Sequence, residues 1–143
     1  MQSPTFLRAR GTAIALTVAI VGLTLTTAYI HLSLGGLLFT LNAIGYAVLA
    51  AAVAVGSIPH TLISRFSWLP RVGLAGFTAV TIGAYLVIGP YFSLGWTAKA
   101  VEVAILALLA ADVVRVYGSP VGLVRAALST FDGRTDRSPL RTA

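Results

Sequence analysis

Cysteine is missing from this 143-residue chain. Its absence closes off disulfides, thiol nucleophiles, cysteine-ligated zinc and iron–sulfur clusters together. Methionine occurs once, as Met1, and histidine twice, as His31 and His60, so any metal or haem ligation falls to two imidazoles and a few carboxylates. Those are scarce as well: Glu102, Asp112, Asp132 and Asp136 are the whole acidic complement. A hydrolase using paired carboxylates or a two-metal centre is hard to assemble from such a set. The phosphate-loop pattern, G-x-G-x-x-G, H-E-x-x-H and G-x-S-x-G do not occur either. The sequence therefore argues against an enzyme and against a resident metal.

What fills the chain instead is apolar. Hydrophobic residues make up 57% and charged residues 10%, with a mean hydropathy of +0.92, a composition that belongs in a bilayer. The net charge of +6 does not point to nucleic acid, because the basic residues form no stripe interleaved with aromatics. They mark loops and ends, as membrane topology requires beside an anionic cytoplasmic leaflet.

Four apolar segments stand out, at about 12–31, 36–58, 72–92 and 97–117. Each is close to the ~20 residues that a helix needs to cross ~30 Å of hydrocarbon. Uniform Ala- and Leu-rich runs without alternation exclude spanning strands. The first run is too long for a secretory signal and lacks a convincing cleavage site, so it reads as a span. Gly35-Gly36, Gly89-Pro90, Pro59 and Pro70 are expected to break helices between spans. Arg8, Arg10, Arg65, Arg71, Arg115, Arg125, Arg134, Arg137 and Arg141 fall on one side, and Lys99 on the other. Both termini should then be cytoplasmic in a multi-pass cell-membrane protein, with the turns HLSLGG and GPYFSLGW outside. Tyr29, Tyr91, Phe92, Trp96, Trp68 and Tyr117 fall near the expected interfaces.

The predicted fold is all-α: an up-down bundle of four transmembrane helices over residues 1–118, followed by a juxtamembrane amphipathic helix at 119–131 and a mobile polar tail at 132–143. Ser119 suits the N-cap of the amphipathic helix and Pro120 its first position. Val121, Val124, Leu128 and Phe131 share one of its faces.

The fourth segment carries Lys99, Glu102, Asp112 and Arg115. These sort into an outer pair, Lys99 with Glu102, and an inner pair, Asp112 with Arg115, each at i,i+3. Lys and Arg can snorkel; the shorter carboxylates cannot, and need protein or a wet crevice around them. Ala100, Ala104, Ala107 and Ala111 form a small-residue seam suited to helix packing. Glu102 lies about 160° from the centre of that seam. If the seam faces this chain's own bundle, Glu102 stands at the rim, toward lipid or a second protein. The simpler reading is a local structural pair with Lys99 or His31.

His31, at comparable depth, is either a helix-end hydrogen bonder or part of a proton-handling, quinone or haem site. His31 and His60 should lie near opposite membrane faces, about 30 Å apart, too far to share a haem within one chain. Asn42 is expected to hydrogen-bond a neighbouring helix; alternatively, with Tyr46, it lines an outer-leaflet pocket. Thr17, Thr24, Thr26 and Thr27 are expected to bond back to their own backbone, and Gly73, Gly76 and Gly83 to allow close packing. The expected function is that of a small non-catalytic accessory subunit or oligomerising scaffold, partnered by lipid and by other membrane chains or copies of itself. A small carrier or channel using His31, Asn42 and Glu102 is the second class. A quinone- or haem-binding anchor near His31 is the third; no cofactor is otherwise expected.

Overall fold

The computed structural model describes residues 4–58 and 65–131, with side chains described from residue 10 onward. Pro59, His60, Arg134, Arg137, Arg141 and the expected tail at 132–143 lie outside the described residues. Five helices form within them: α1 (Pro4–Leu34), α2 (Leu37–Gly56), α3 (Trp68–Ile88), α4 (Ser93–Tyr117) and α5 (Pro120–Phe131).

Their ends follow local chemistry. Gly35 and Gly36, at φ 71° and 83°, turn the chain through a region that side chains disfavour, and so separate α1 from α2. Pro70 does not break a helix as expected. It lies in the first turn of α3, where its missing N–H costs no intrahelical bond, so α3 begins four residues before the expected Val72. It also ends earlier, at Gly89-Pro90. Helix α4 starts at Ser93 instead of Thr97, where the N–H of Trp96 donates to the carbonyl of Phe92 at 3.1 Å. Gly118, at φ 74°, closes α4 by donating to the carbonyl of Val114 at 2.9 Å, a left-handed cap. Ser119 caps α5 as expected, its Oγ accepting from the N–H of Gly122 at 3.1 Å.

Helix α1 packs against α2 and α4, and α3 against the same two, which closes a ring of four. Side-chain pairings fix the directions. His31 near the end of α1 meets Phe39 near the start of α2, and Arg71 near the start of α3 meets Asp112 near the end of α4. The helices therefore run alternately up and down. Between a polar end around His31 and another around Arg71 lies an apolar layer of Ile20, Val53, Leu74, Ile105 and Leu109, each no more than 2% exposed.

The outer surface is as greasy as the interior. Leu37, Val80, Val87 and Ile88 are 70–80% exposed, which suits lipid and not water. Arg10–Leu34, α2 and α3 are long and apolar enough to cross a membrane. Helix α4 matches them in length at 25 residues, but its four charges set it apart.

The alanine seam does not face the bundle. Ala100, Ala107 and Ala111 are exposed and Ala104 is half-buried, whereas Glu102 is fully enclosed. Burying a carboxylate among cations and hydroxyls decides the rotation of α4; packing small residues tightly does not, since apolar surface gains little by leaving lipid. Gly76 and Gly83 likewise face outward, with nothing within 4 Å of where a Cβ would stand. Gly45 is different. A Cβ there would lie 2.6 Å from the ring tip of Phe77, which packs edge-on against Tyr46 at 4.9 Å.

Gly45→Val should overpack the α2–α3 contact and cost about 1–3 kcal/mol, read as a lower melting temperature in detergent. Gly22→Ala, at a position open on all sides, should leave that temperature level or raise it.

Candidate functional site

The α1 C-terminus, α2 N-terminus and α4 N-terminus meet the second half of α3 at one end of the bundle, and there the sequence's scattered polar residues converge. Glu102 is the centre. Its Oε2 accepts from Lys99 Nζ at 2.5 Å and from Thr81 Oγ1 at 3.2 Å. The i,i+3 spacing on one helix makes the lysine contact local; the threonine comes from α3. Tyr46, wholly buried on α2, places its hydroxyl 2.6 Å from Thr81 Oγ1. The single proton of Thr81 Oγ1 has two acceptors in reach, Glu102 Oε2 and the nearer Thr78 carbonyl at 2.9 Å, and with it given to either one Tyr46 donates to Thr81. Lys99 also donates to the Thr81 carbonyl at 3.3 Å and lies 5.5 Å from the centre of the Tyr85 ring.

The other carboxylate oxygen, Oε1, is buried and has no hydrogen-bond partner among the described residues. It faces His31 Nε2 at 3.6 Å. His31 Nδ1 lies 2.8 Å from the Thr27 carbonyl, an acceptor only, so Nδ1 carries a proton. Nε2 is then the nitrogen left facing the unpaired oxygen.

Above this cluster is a cavity of about 280 Å³. Its walls are apolar and aromatic, with Phe39, Tyr85 and Phe92 prominent; His31, Asn42, Thr81 and Lys99 supply its polar groups. Leu38, Val80 and Ile88 line its mouth, and each is at least 66% exposed on the lipid-like surface. Asn42 makes no hydrogen bond to a neighbouring helix among the described residues, against the structural expectation, and borders the cavity. Tyr46 does not reach it, because its hydroxyl is spent on Thr81. Pairing His31, Lys99 and Glu102 by depth anticipated their meeting, in line with the simpler reading of a local pair; the rim position, which depended on the alanine seam facing inward, does not occur. Thr81 and Tyr85 carried no signal, since a single Thr or Tyr in a greasy helix looks like any other.

The opposite end holds a second buried carboxylate. Asp112 accepts from Arg115 Nε at 3.1 Å and Nη2 at 2.6 Å on one oxygen, and from Arg71 Nε at 2.7 Å on the other. Arg71 Nη1 donates to the Ser67 carbonyl at 2.6 Å. The Asp112–Arg115 pair was legible at i,i+3. Arg71, 41 residues earlier in the chain, reads in the sequence only as a topology marker. Beside this cluster Trp68 Nε1 donates to Thr130 Oγ1 at 3.2 Å and Arg65 Nη2 to the Thr130 carbonyl at 2.7 Å, which ties α5 to the start of α3.

Among the described residues no three His, Asp or Glu side chains gather into a metal-binding group. Comparisons with protein families, curated proteins and solved structures give no match to this chain.

Lys99→Met should cost about 3–5 kcal/mol, because it strands a buried carboxylate, and Lys99→Met/Glu102→Gln should recover part of that loss in detergent melts. Asp112→Asn, which leaves two guanidiniums facing an amide, should destabilise more than Arg115→Gln, whose side chain is 34% exposed.

Proposed function

We propose that this chain is a small non-catalytic membrane protein of four spans, with both termini cytoplasmic, that holds an uncharged lipid-soluble ligand in the cavity beside Glu102. The observation that carries this reading is the cavity itself: apolar and aromatic walls, a polar floor, and a mouth on the greasy exterior between α2 and α3. Its ~280 Å³ lies just under the common ~300–1,000 Å³ of small-molecule sites, enough for one ring.

The charge of the floor selects the ligand. Lys99 and Glu102 cancel, so a charged head gains nothing there, while two donors remain on offer. Lys99 spends two of its three N–H groups on Glu102 and Thr81. The Asn42 amide borders the cavity and makes no hydrogen bond among the described residues. Ring carbonyl oxygens match both. This is the chemistry of a quinone head with its tail in lipid. Haem does not suit the site, because His31 Nδ1 is engaged with Thr27 and Nε2 is covered by Glu102.

The four-span topology draws on α4's length and on the enclosure of its two carboxylates in ion pairs. A continuous channel gains no support, since the apolar layer from Ile20 to Leu109 separates the two polar ends. Membership of a larger assembly draws on the outward-facing seam at Ala100, Ala107 and Ala111, a surface on which another helix can approach closely.

Protein purified from membranes in mild detergent should yield a quinone-class compound on solvent extraction and mass spectrometry. Ala84→Trp, on the cavity wall, should abolish most of it, and Val87→Trp, on the outer surface, should not. Equal recovery from both variants, or no ring compound from any, overturns the ligand reading. Tags at the two termini should be labelled from the same membrane side; opposite sides would remove the four-span topology.

A further inference from the structure

Among the described residues, the Arg71 end carries more positive charge than it neutralises. Two guanidiniums share the single carboxylate of Asp112. Glu102 is committed at the other end, and the two remaining carboxylates of the chain, Asp132 and Asp136, lie outside the described residues. Arg71 is only 4% exposed, so its charge is poorly served by water, and an uncompensated charge at that depth is costly. Each guanidinium also keeps a nitrogen without a hydrogen bond among the described residues: Arg71 Nη2 and Arg115 Nη1.

These two arginines border a crevice of about 360 Å³ whose other walls include Ile14, Thr17, Val18 and Ser57. Ile14 and Val18 are more than half exposed and continue the apolar outer surface of α1. Arg10, four residues before Ile14, stands on the same face of that helix one turn farther out. The crevice thus has a cationic fork at its polar end and a greasy runway leading away.

We infer that the crevice between α1 and the Arg71–Arg115 pair binds a phosphate-bearing anion, supplied by the headgroup of an anionic phospholipid whose acyl chain lies along Ile14 and Val18. Two guanidiniums, each with an Nη left free, match phosphate oxygens, and guanidinium suits a partly dry site better than ammonium does. Asp112 does not oppose the anion, because both its oxygens are already covered by the same arginines and it holds their planes in place. Basic pockets between membrane helices take such headgroups on the side where anionic lipids collect. A soluble phosphate offers the same oxygens without the chain, so the two sources are separable. The inference rests on the membrane reading above but not on the ligand proposed for the opposite end.

The test is native mass spectrometry, with melting curves, of protein exchanged into detergent with phosphatidylglycerol, phosphatidylcholine or inorganic phosphate. Phosphatidylglycerol should be retained in preference to phosphatidylcholine and should raise the melting temperature, whereas inorganic phosphate at matched concentration should do neither. Arg115→Gln should weaken that preference about fivefold, the worth of one basic residue beside an anionic lipid; Arg125→Gln, on α5, should leave it unchanged. Arg115→Lys, which keeps the charge and loses the fork, should fall between and guards against a folding defect in the glutamine variant. Equal retention of the two lipids, or selectivity untouched by Arg115→Gln, overturns the site while the bound phosphatidylcholine still reports a membrane protein. Stabilisation by inorganic phosphate alone overturns the lipid source.

Discussion

A carboxylate enclosed by an apolar bundle must bring its cation and its donors with it, and Glu102 imposes that condition on everything around it. Lys99 meets half of the demand from one turn away on the same helix. The other half has to come from α1 and α3, so His31 and Thr81 are drawn to the same depth. Once Glu102 points inward, the rotation of α4 is settled. Ala98, Glu102, Ile105, Leu109 and Asp112 all turn to the core at alternating spacings of four and three residues. Asp112 then arrives buried at the far end, where Arg71 and Arg115 make its position tolerable.

The two ends solve the same problem with different arithmetic. At the Glu102 end one lysine balances one carboxylate, hydroxyls complete the shell, and one oxygen is left facing an imidazole. The result is a polar but uncharged floor under a cavity. At the Asp112 end two arginines surround one carboxylate, leaving a positive excess among the described residues beside a crevice. The intervening layer of Ile20, Val53, Leu74, Ile105 and Leu109 keeps the two apart, so each end can be understood as a separate electrostatic unit.

Much of this was open to sequence reasoning, and the parts that were not share a cause. The apolar runs, the Gly35-Gly36 turn, the Ser119-Pro120 start of α5 and both i,i+3 pairs are local features, and local features survive translation into structure. The rotation of α4 is not local. In a soluble helix the apolar stripe says which face is inside, but here Val87 and Leu37 outside are as greasy as Leu74 and Ile105 inside, so the wheel has no preferred direction. Choosing the alanine seam as the inner face gave weight to shape. The burial cost of charge is larger, and the stripe from Glu102 through Ile105 and Leu109 to Asp112 was the better guide. Arg71 escaped notice as a partner for a related reason: an arginine near a span's end reads equally well as a topology marker and as half of an ion pair. Pro70 was misread because its disruption depends on how many turns precede it, and none does.

Helix α5 extends the same logic beyond the bundle. Its polar side is secured to the start of α3 through Thr130, and the Phe131 ring packs against Trp68 at 6.1 Å. Its other side leaves Val121, Val124 and Leu128 between 55% and 63% exposed, on a helix whose apolar residues could have been turned toward the bundle instead. An apolar face kept out of protein contact belongs in another apolar medium, and the surrounding surface of α1 to α3 is already of that kind. On the four-span reading α5 therefore lies in the headgroup plane, and its attachment to Arg65 and Trp68 fixes that plane relative to Arg71 and Asp112. The buried ion cluster then sits at the depth where headgroup gives way to hydrocarbon, which is where a long guanidinium side chain can serve a buried carboxylate on one side and a lipid phosphate on the other.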